Sequence, residues 1–358
     1  MQTQDARFMA QALHLAERGC FTTDPNPSVG CVLVREGEVI AEGWTQRAGF
    51  AHAEVHALSQ IEDARGATAY VTLEPCSHHG RTGPCCDALI KAGIRRVVVA
   101  MQDPNPLVCG QGLQRLRDAG IEVVCDVLRQ EAERLNRGFF KRMQQGLPWV
   151  VSKLAMSLDG RTAMASGESQ WITSSLARQD VQRFRAASSA ILTSIDTVLA
   201  DDPQLNARVD FDVVQPVKVV LDSQLRLPLS AKLLQHSIDT WIITCNEKSS
   251  KQQALREMGC KVFTVNADSG HVSLKEAFKL LAELHINSIW IEAGATLNGA
   301  LLESGLVDEW IIYMAPSGLG DEGRGLFHLP AMRKMADKKT LQLRDVRQIG
   351  PDIRMIFK

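Results

Sequence analysis

Short aliphatic runs alternating with helical patterns constrain this chain most tightly. Val29-Gly-Cys-Val-Leu-Val34, Ala69-Tyr-Val-Thr-Leu73, Val97-Val-Val-Ala100 and the run 121–125 have strand length, and the stretches around them repeat apolar residues at helical spacing. Val29-Gly-Cys-Val-Leu-Val34 and Val39-Ile-Ala41 flank Glu36-Gly37 and predict a β-hairpin. Strands alternating with helices demand a layered α/β structure with largely parallel pairing, because neither element can bury its apolar face alone. A charged helical pattern over 129–143 ends in Gln144-Gln-Gly-Leu-Pro148, and the alternation starts afresh with Trp149-Val-Val-Ser-Lys-Leu-Ala155. The expected division is therefore 1–146 and 147–358. The second half adds strand runs at 190–193, 217–221, 240–244, 261–265, 288–292 and 309–313, helices near 175–187, 251–258 and 273–284, and a closing antiparallel pair at 341–346 and 354–357. Each half is long enough to bury its own core.

Two motifs lie at element ends in the first half. His52-Ala-Glu54 opens the helical pattern 52–61, and Glu74-Pro-Cys76 closes the strand run 69–73, with Cys85-Cys86 where helical spacing resumes. A His, a Glu two residues on, and a Pro-Cys followed by a later Cys make up the ligand set of zinc deaminases. Catalytic zinc takes three protein ligands and leaves one position for water, whereas structural zinc takes four. His52, Cys76 and Cys85 supply three, and a helix N-terminus favours the thiolate form of a cysteine. Glu54 is then the acid/base that carries a proton from water to departing ammonia. The plainer reading makes His52 and His56 helix neighbours and the cysteines buried thiols. That suits an isolated His-x-Glu, but not the whole combination. Such deaminases usually space their cysteines Cys-x-x-Cys, and here eight residues intervene between Cys76 and Cys85. The residues alone leave Cys86, His78 and His79 open as third or fourth ligands.

A net charge of −1 and a pI near 6.8 supply no basic field for a nucleic-acid backbone, which disfavours an editor of DNA or RNA. No apolar run reaches bilayer length, and the N-terminus lacks the layout of a signal peptide. The expectation is a cytoplasmic protein that acts on a small molecule, with neither nucleic acid nor membrane as partner. Nine cysteines, an odd number scattered from Cys20 to Cys260, do not read as a disulfide framework.

In the second half the chemistry is less explicit. Lys153 lies in an apolar strand, and a buried lysine needs a partner or a substrate. Ser288-Ile-Trp-Ile-Glu-Ala-Gly-Ala-Thr-Leu-Asn-Gly-Ala300 reads as strand, glycine turn and helix, which can set backbone N–H groups against a phosphate. It is not a G-x-G-x-x-G fingerprint, and an ordinary strand-to-helix turn explains it as well. Arg185 and Arg208, taken alone, read as solvated charges.

Several longer stretches carry a family resemblance. Thr23-Asp-Pro-Asn-Pro-Ser-Val-Gly30, His52-Ala-Glu54, Glu74-Pro-Cys-Ser-His-His-Gly-Arg-Thr82 and Asp103-Pro-Asn-Pro106 are similar to the bifunctional deaminase/reductase family of riboflavin biosynthesis. So are Lys153-Leu-Ala-Met-Ser-Leu-Asp-Gly-Arg-Thr-Ala163, Ser166-Gly-Glu-Ser-Gln-Trp-Ile-Thr173, Thr197-Val-Leu-Ala-Asp-Asp-Pro203 and Glu292-Ala-Gly294. The resemblance spans nearly the whole chain. It implies an N-terminal cytidine-deaminase-like α/β/α sandwich and a C-terminal dihydrofolate-reductase-like α/β domain.

The resemblance also implies zinc on His52, Cys76 and Cys85, with Glu54 as proton shuttle. Asn26, His78, His79 and Arg81 would surround a phosphoribosyl pyrimidine. NADPH would meet Ala155, Trp171, Thr197, Asp201, Ser223 and the turn Gly294-Ala295-Thr296-Leu297-Asn298-Gly299-Ala300. Ser169, Arg185, Leu205, Arg208 and Glu292 would hold the second substrate, the arginines suiting its phosphate. Lys153, Asp201 and Glu292 are the candidates for proton transfer beside the hydride step. Gly83 and Asn206 depart from the family's commoner Pro and Thr.

The implied reactions are deamination of 2,5-diamino-6-(5-phosphoribosylamino)pyrimidin-4(3H)-one and reduction of the ribosyl group to 5-amino-6-(5-phosphoribitylamino)uracil, in a homo-oligomer. Two alternatives compete. One is a nucleoside or tRNA deaminase with a non-catalytic nucleotide-binding second domain, and the other is a non-catalytic module with structural zinc. Charge balance and the Lys153 stretch disfavour the first, and Glu54 disfavours the second.

Overall fold

The structure is a computed structural model that describes residues 2–77, 83–105, 109–235, 238–247 and 250–358. The chain forms two compact units, Met1–Leu147 with Asp212–Val214, and Pro148–Phe211 with Gln215–Lys358. Among the described residues no helix is long and apolar enough to cross a membrane.

The first unit runs α1 (Gln2–Glu17), β1 (Gly30–Arg35), β2 (Glu38–Trp44), α2 (Ala53–Leu58), β3 (Thr68–Val71), α3 (Cys85–Lys91), β4 (Arg96–Val99), α4 (Gln111–Asp118), β5 (Glu122–Val124), α5 (Arg129–Leu135) and α6 (Arg137–Gln145). Its sheet has the order β2-β1-β3-β4-β5. β1 is antiparallel to β2 and β3, while β3, β4 and β5 run parallel. The expected hairpin turns through Glu36 and Gly37, both at positive φ (53° and 84°), the twist a two-residue connection requires. Gly43 on β2 lets α2 lie directly on the sheet, since a Cβ there would stand 2.3 Å from the Ala53 carbonyl oxygen. The approach fixes where the residue before that helix, His52, begins.

The single helix expected over 129–143 is two. Asn136 leaves helical geometry at φ −110°, ψ 23° between α5 and α6. Its buried amide takes a hydrogen bond from the Ser28 N–H (2.7 Å) and gives one to the Ser28 carbonyl (2.8 Å). A partner 108 residues away in sequence causes the break.

The second unit opens with β6 (Trp149–Ser157), β7 (Arg161–Ala163), α7 (Ser175–Ala186), β8 (Ala190–Ser194), α8 (Ile195–Asp201), β9 (Val217–Leu221) and β10 (Thr240–Thr244). It continues with α9 (Ser250–Glu257), β11 (Lys261–Thr264), β12 (Ala267–Asp268), β13 (His271–Val272), α10 (Leu274–Glu283), β14 (Ser288–Glu292) and α11 (Ala295–Ser304). It closes with β15 (Glu309–Ala315), β16 (Arg324–Gly325), β17 (Leu343–Ile349) and β18 (Asp352–Phe357). The main sheet has the order β11-β10-β9-β8-β14-β6-β15-β18-β17, and only its last two strands run antiparallel to their neighbours. Continuous aliphatic strands suit such a sheet, covered on both faces. The segment 157–169, where the sequence predicts no strand, contains β7, which pairs with β16.

Candidate active sites

In the first unit three ligand-type side chains meet. His52 is the extended residue before α2 (φ −72°, ψ 166°), Cys76 follows β3, and Cys85 is the first residue of α3. Cys76 Sγ lies 3.5 Å and Cys85 Sγ 3.3 Å from His52 Nδ1, and all three ligand atoms fall within 4.8 Å of one another. The Cys85 N–H donates to Cys76 Sγ at 3.3 Å. One imidazole nitrogen and two sulfurs in so small a space are a donor set that zinc favours. Cys86 turns elsewhere: its thiol donates to the carbonyls of Pro75 (3.2 Å) and Gly112 (3.5 Å). Packing thus separates two cysteines that adjacency in sequence left equivalent. Replacing Cys85 with serine is expected to empty the site, and Cys86→Ser to keep about one zinc per chain, as elemental analysis of the purified variants would show.

The hydrogen bond from the Cys85 side chain pulls the Cys76 thiol down to about 4, helped by His52 and the Cys85 N–H. The proton the two thiols share stays on Cys85, which is pushed up. Glu54 is 3% exposed, and burial raises its carboxyl to about 7, with the charge on Cys76 adding to the effect. A carboxyl poised near 7 both accepts and returns a proton at neutral pH. His56 faces another way, with Nδ1 3.1 Å from Gln46 Nε2 and its ring edge-on to Trp44. Asn26 is half-buried in the loop that Asn136 anchors, and its N–H donates to the Thr23 carbonyl. His78, His79 and Arg81 lie outside the described residues.

In the second unit a cavity of about 1040 Å³ gathers much of the expected reductase site. Lys153, Ala155, Ser169, Thr197, Asp201, Ser223, Glu292, Gly294, Ala295, Thr296, Leu297 and Ala300 line it. The volume is that of a large cofactor pocket, and α11 begins at its wall behind the Gly294 turn, offering N–H groups to a phosphate. Such a cavity fits a dinucleotide.

Six expected residues are absent from that lining. Trp171 is 69% exposed and stacks under the Arg178 guanidinium at 4.5 Å. Asn298 is fully buried: it accepts from Ser152 Oγ at 2.6 Å and donates to the Ala293 carbonyl at 2.8 Å, closing the turn from behind. Gly299 permits a close approach, since a Cβ would stand 2.0 Å from the His328 carbonyl oxygen. Leu205 belongs to the hydrophobic core at 2% exposure. Arg208 is exposed, with a hydrogen bond to Asn206 Oδ1 at 3.2 Å.

Arg185 is the most informative of the six. Its Nε and Nη2 form a fork on the Glu292 carboxylate at 2.6 and 2.8 Å, and Nη1 donates to the Asn206 carbonyl at 3.0 Å. The fork assigned by resemblance to a phosphate is already occupied. Trp290 is core at 1% exposure, yet its indole N–H donates to Glu292 Oε1 at 2.7 Å. Thr193 Oγ1 donates to the Glu292 carbonyl at 2.6 Å. Sequence spacing missed both; the nearest signal is that Trp290 stands two residues before Glu292, on the same face of β14.

Burial alone would raise the Glu292 carboxyl, but the Arg185 charge and hydrogen bonds outweigh it and, with Lys153 and the indole, hold it at about 2. Lys153 stands opposite Glu292 in the parallel β6–β14 register. Burial depresses the Lys153 ammonium and Arg185 adds to this, while Glu292 counters it. Burial raises the Asp201 carboxyl against the hydrogen bond from Gln170 and the charge of Arg324.

Comparison with known proteins agrees with both halves. Residues 148–355 match the family model for the RibD C-terminal domain, and residues 2–101 match the cytidine and deoxycytidylate deaminase zinc-binding region. The riboflavin biosynthesis protein RibD of Escherichia coli (strain K12) is 52% identical over 363 residues, covering 98% of each chain. RibD of Aquifex aeolicus is 40% identical, covering 99% of this chain and 98% of that one. A solved structure of Acinetobacter baumannii RibD superposes with a TM-score of 0.93 at 47% identity, covering 99% of both chains. A Thermotoga maritima protein described as a diaminohydroxyphosphoribosylaminopyrimidine deaminase/5-amino-6-(5-phosphoribosylamino)uracil reductase superposes at 0.87 with 31% identity, covering 100% of this chain and 99% of that one. A nucleoside or tRNA deaminase with an inert second domain is not favoured by these matches. The chain belongs to the RibD family of bifunctional riboflavin-biosynthesis enzymes, in which a zinc-dependent deaminase is joined to an NADPH-dependent reductase.

Proposed function

We propose that the first unit hydrolyses the amine from 2,5-diamino-6-(5-phosphoribosylamino)pyrimidin-4(3H)-one and that the second reduces the ribosyl group of the resulting uracil to ribityl. The observation that carries this is the convergence of His52, Cys76 and Cys85 beside the buried carboxyl of Glu54. Both activities appear in the description of the Thermotoga maritima relative. The same reading has a cytoplasmic homo-oligomer working on small molecules, in keeping with a net charge of −1.

In the first unit His52, Cys76 and Cys85 would hold zinc, which supplies Lewis acidity and lowers the pKa of water. The Glu54 carboxylate takes one proton from the attacking water as the C–O bond forms at the amine-bearing ring carbon. It passes that proton to the ring nitrogen whose double bond the addition opens, then carries the proton of the new hydroxyl to the amine as the C–N bond breaks, so ammonia leaves and a carbonyl remains. Burial keeps bulk water from competing for the proton.

In the second unit the Gly294 turn and the cavity walls would hold NADPH, which supplies the hydride to C1 of the sugar. Glu292, pinned by Arg185 and Trp290, stays ionised and has no proton to give. Its charge counters the burial that depresses the Lys153 ammonium, and Lys153 Nζ would protonate the sugar oxygen as the ring opens. The cavity residues orient the two reacting carbons.

One assay tests the whole reading. With the diaminopyrimidine phosphate as substrate, ammonia release and NADPH oxidation should proceed in equal amounts, ammonia first. Ammonia without NADPH oxidation would remove the reductase assignment. Activity on cytidine or tRNA but none on this substrate would remove the deaminase assignment.

A further inference from the structure

Glu74 precedes Pro75-Cys76 at the end of β3, and its side chain is buried at 6% exposure. Oε2 accepts hydrogen bonds from the N–H groups of Asp103 (3.1 Å) and Gly110 (3.0 Å), and Oε1 from those of Gly112 (2.8 Å) and Leu113 (3.3 Å). The last three are donors that the start of a helix leaves without intrahelical partners. Gly110 occupies the N-cap position of α4 at φ 79° and has no side chain to accept them. A carboxylate from another strand serves as the cap instead.

The capped turn presses on the peptide that leads to Cys76. A Cβ on Gly112 would stand 2.1 Å from the Pro75 carbonyl oxygen, so no other residue lets α4 approach this closely. From the other flank, the Cys86 N–H donates to the Cys76 carbonyl at 3.2 Å, and the Cys86 thiol bridges the Pro75 and Gly112 carbonyls. Cys76 is therefore gripped between α3 and α4, and Glu74 is the charged member of the grip. It also ties down Asp103, whose Oδ1 accepts from the Asn105 N–H at 2.8 Å.

We infer that Glu74 is a positioning residue of the deaminase centre: by capping α4 across the strand end, it fixes the direction in which Cys76 presents its sulfur. The inference rests on the reading of His52, Cys76 and Cys85 as a zinc centre.

Glu74→Gln keeps the volume but turns one acceptor oxygen into a donor that faces two N–H groups. Zinc affinity, measured by competition with a chromophoric chelator, should weaken about tenfold or more. The cobalt-substituted protein should show a shifted thiolate-to-cobalt absorption band. Leu116→Ala, a core truncation in α4, should lower the melting temperature while leaving zinc affinity and the cobalt band unchanged. If Glu74→Gln does not fold, Glu74→Asp keeps the charge but withdraws the oxygens by one methylene, and the same two readings apply to it. Wild-type zinc affinity and cobalt spectrum in the folded Glu74 variant, or equal shifts in Leu116→Ala, would overturn the inference. A wild-type protein that binds no zinc would instead remove the zinc reading itself, so the two failures are distinguishable.

Discussion

Glu54→Gln should lower ammonia release by about 10²- to 10⁴-fold, the range general acid–base catalysis contributes, while leaving zinc content at its wild-type value. Glutamine fills the same space at a position that is 3% exposed, so the change removes the titrating oxygen and little packing. His52, Cys76 and Cys85 hold one another through their mutual contacts and the Cys85 N–H, and glutamine keeps a side-chain oxygen for the contact that Glu54 makes with the Cys85 side chain. The measurement is ammonia release alongside elemental analysis of the same sample. Ammonia release at the wild-type rate in a zinc-replete variant would sink the proton-shuttle role.

Glu292→Gln should cost about 3–5 kcal/mol of stability in the second unit, because it leaves the Arg185 charge buried without its counter-charge. The pair is well sequestered, with side-chain exposures of 9% for Arg185 and 19% for Glu292. Reduction should fall about a hundredfold or more, as the Lys153 proton loses the carboxylate that holds it. Arg185→Met combined with Glu292→Gln should recover much of the stability and none of the reductase rate, a non-additivity that identifies the pair as one unit. Denaturant unfolding and NADPH oxidation read the two effects separately. The pH dependence has a definite sign. Glu292 in the folded chain titrates at about 2, below its ordinary 4.5, so its contribution is complete above pH 4.5 and is lost as pH falls towards 2. A Glu292→Gln variant as stable as wild type at neutral pH would contradict the buried-pair account.

What the sequence revealed follows from the range of the interactions involved. Strands β9, β10 and β14 were legible to the residue, since a strand buried on both faces is a continuous aliphatic run. The start of α7, expected near 175, was legible too, because its cap is local: Ser174 accepts from Ala177 N only three residues away. α8 was not, being seven residues long with Thr197 and Val198 inside it; its signal was Ser194, whose hydroxyl accepts from the Thr197 N–H. The break at Asn136 and the cap supplied by Glu74 depend on partners distant in sequence, which no local pattern encodes.

The sites divide the same way. The grouping of His52, Cys76 and Cys85 could be read because metal chemistry dictates residue types at element ends. The choice between Cys85 and Cys86 is made by which thiol packs against the Pro75 and Gly112 carbonyls, and that is a tertiary fact. In the second unit spacing pointed to the Gly294 turn, but could not show that Asn298 and Gly299 face inward or that Arg185 is spent on Glu292.

The central claim is that one chain carries two consecutive and separable reactions. The most direct test gives Glu54→Gln both substrates in turn while NADPH oxidation is followed. With 5-amino-6-(5-phosphoribosylamino)uracil the variant should oxidise NADPH at the wild-type rate, and with the diaminopyrimidine phosphate both ammonia release and NADPH oxidation should fall together by about 10²- to 10⁴-fold. NADPH oxidation at the wild-type rate on the undeaminated substrate, or its loss on the uracil, would contradict the account.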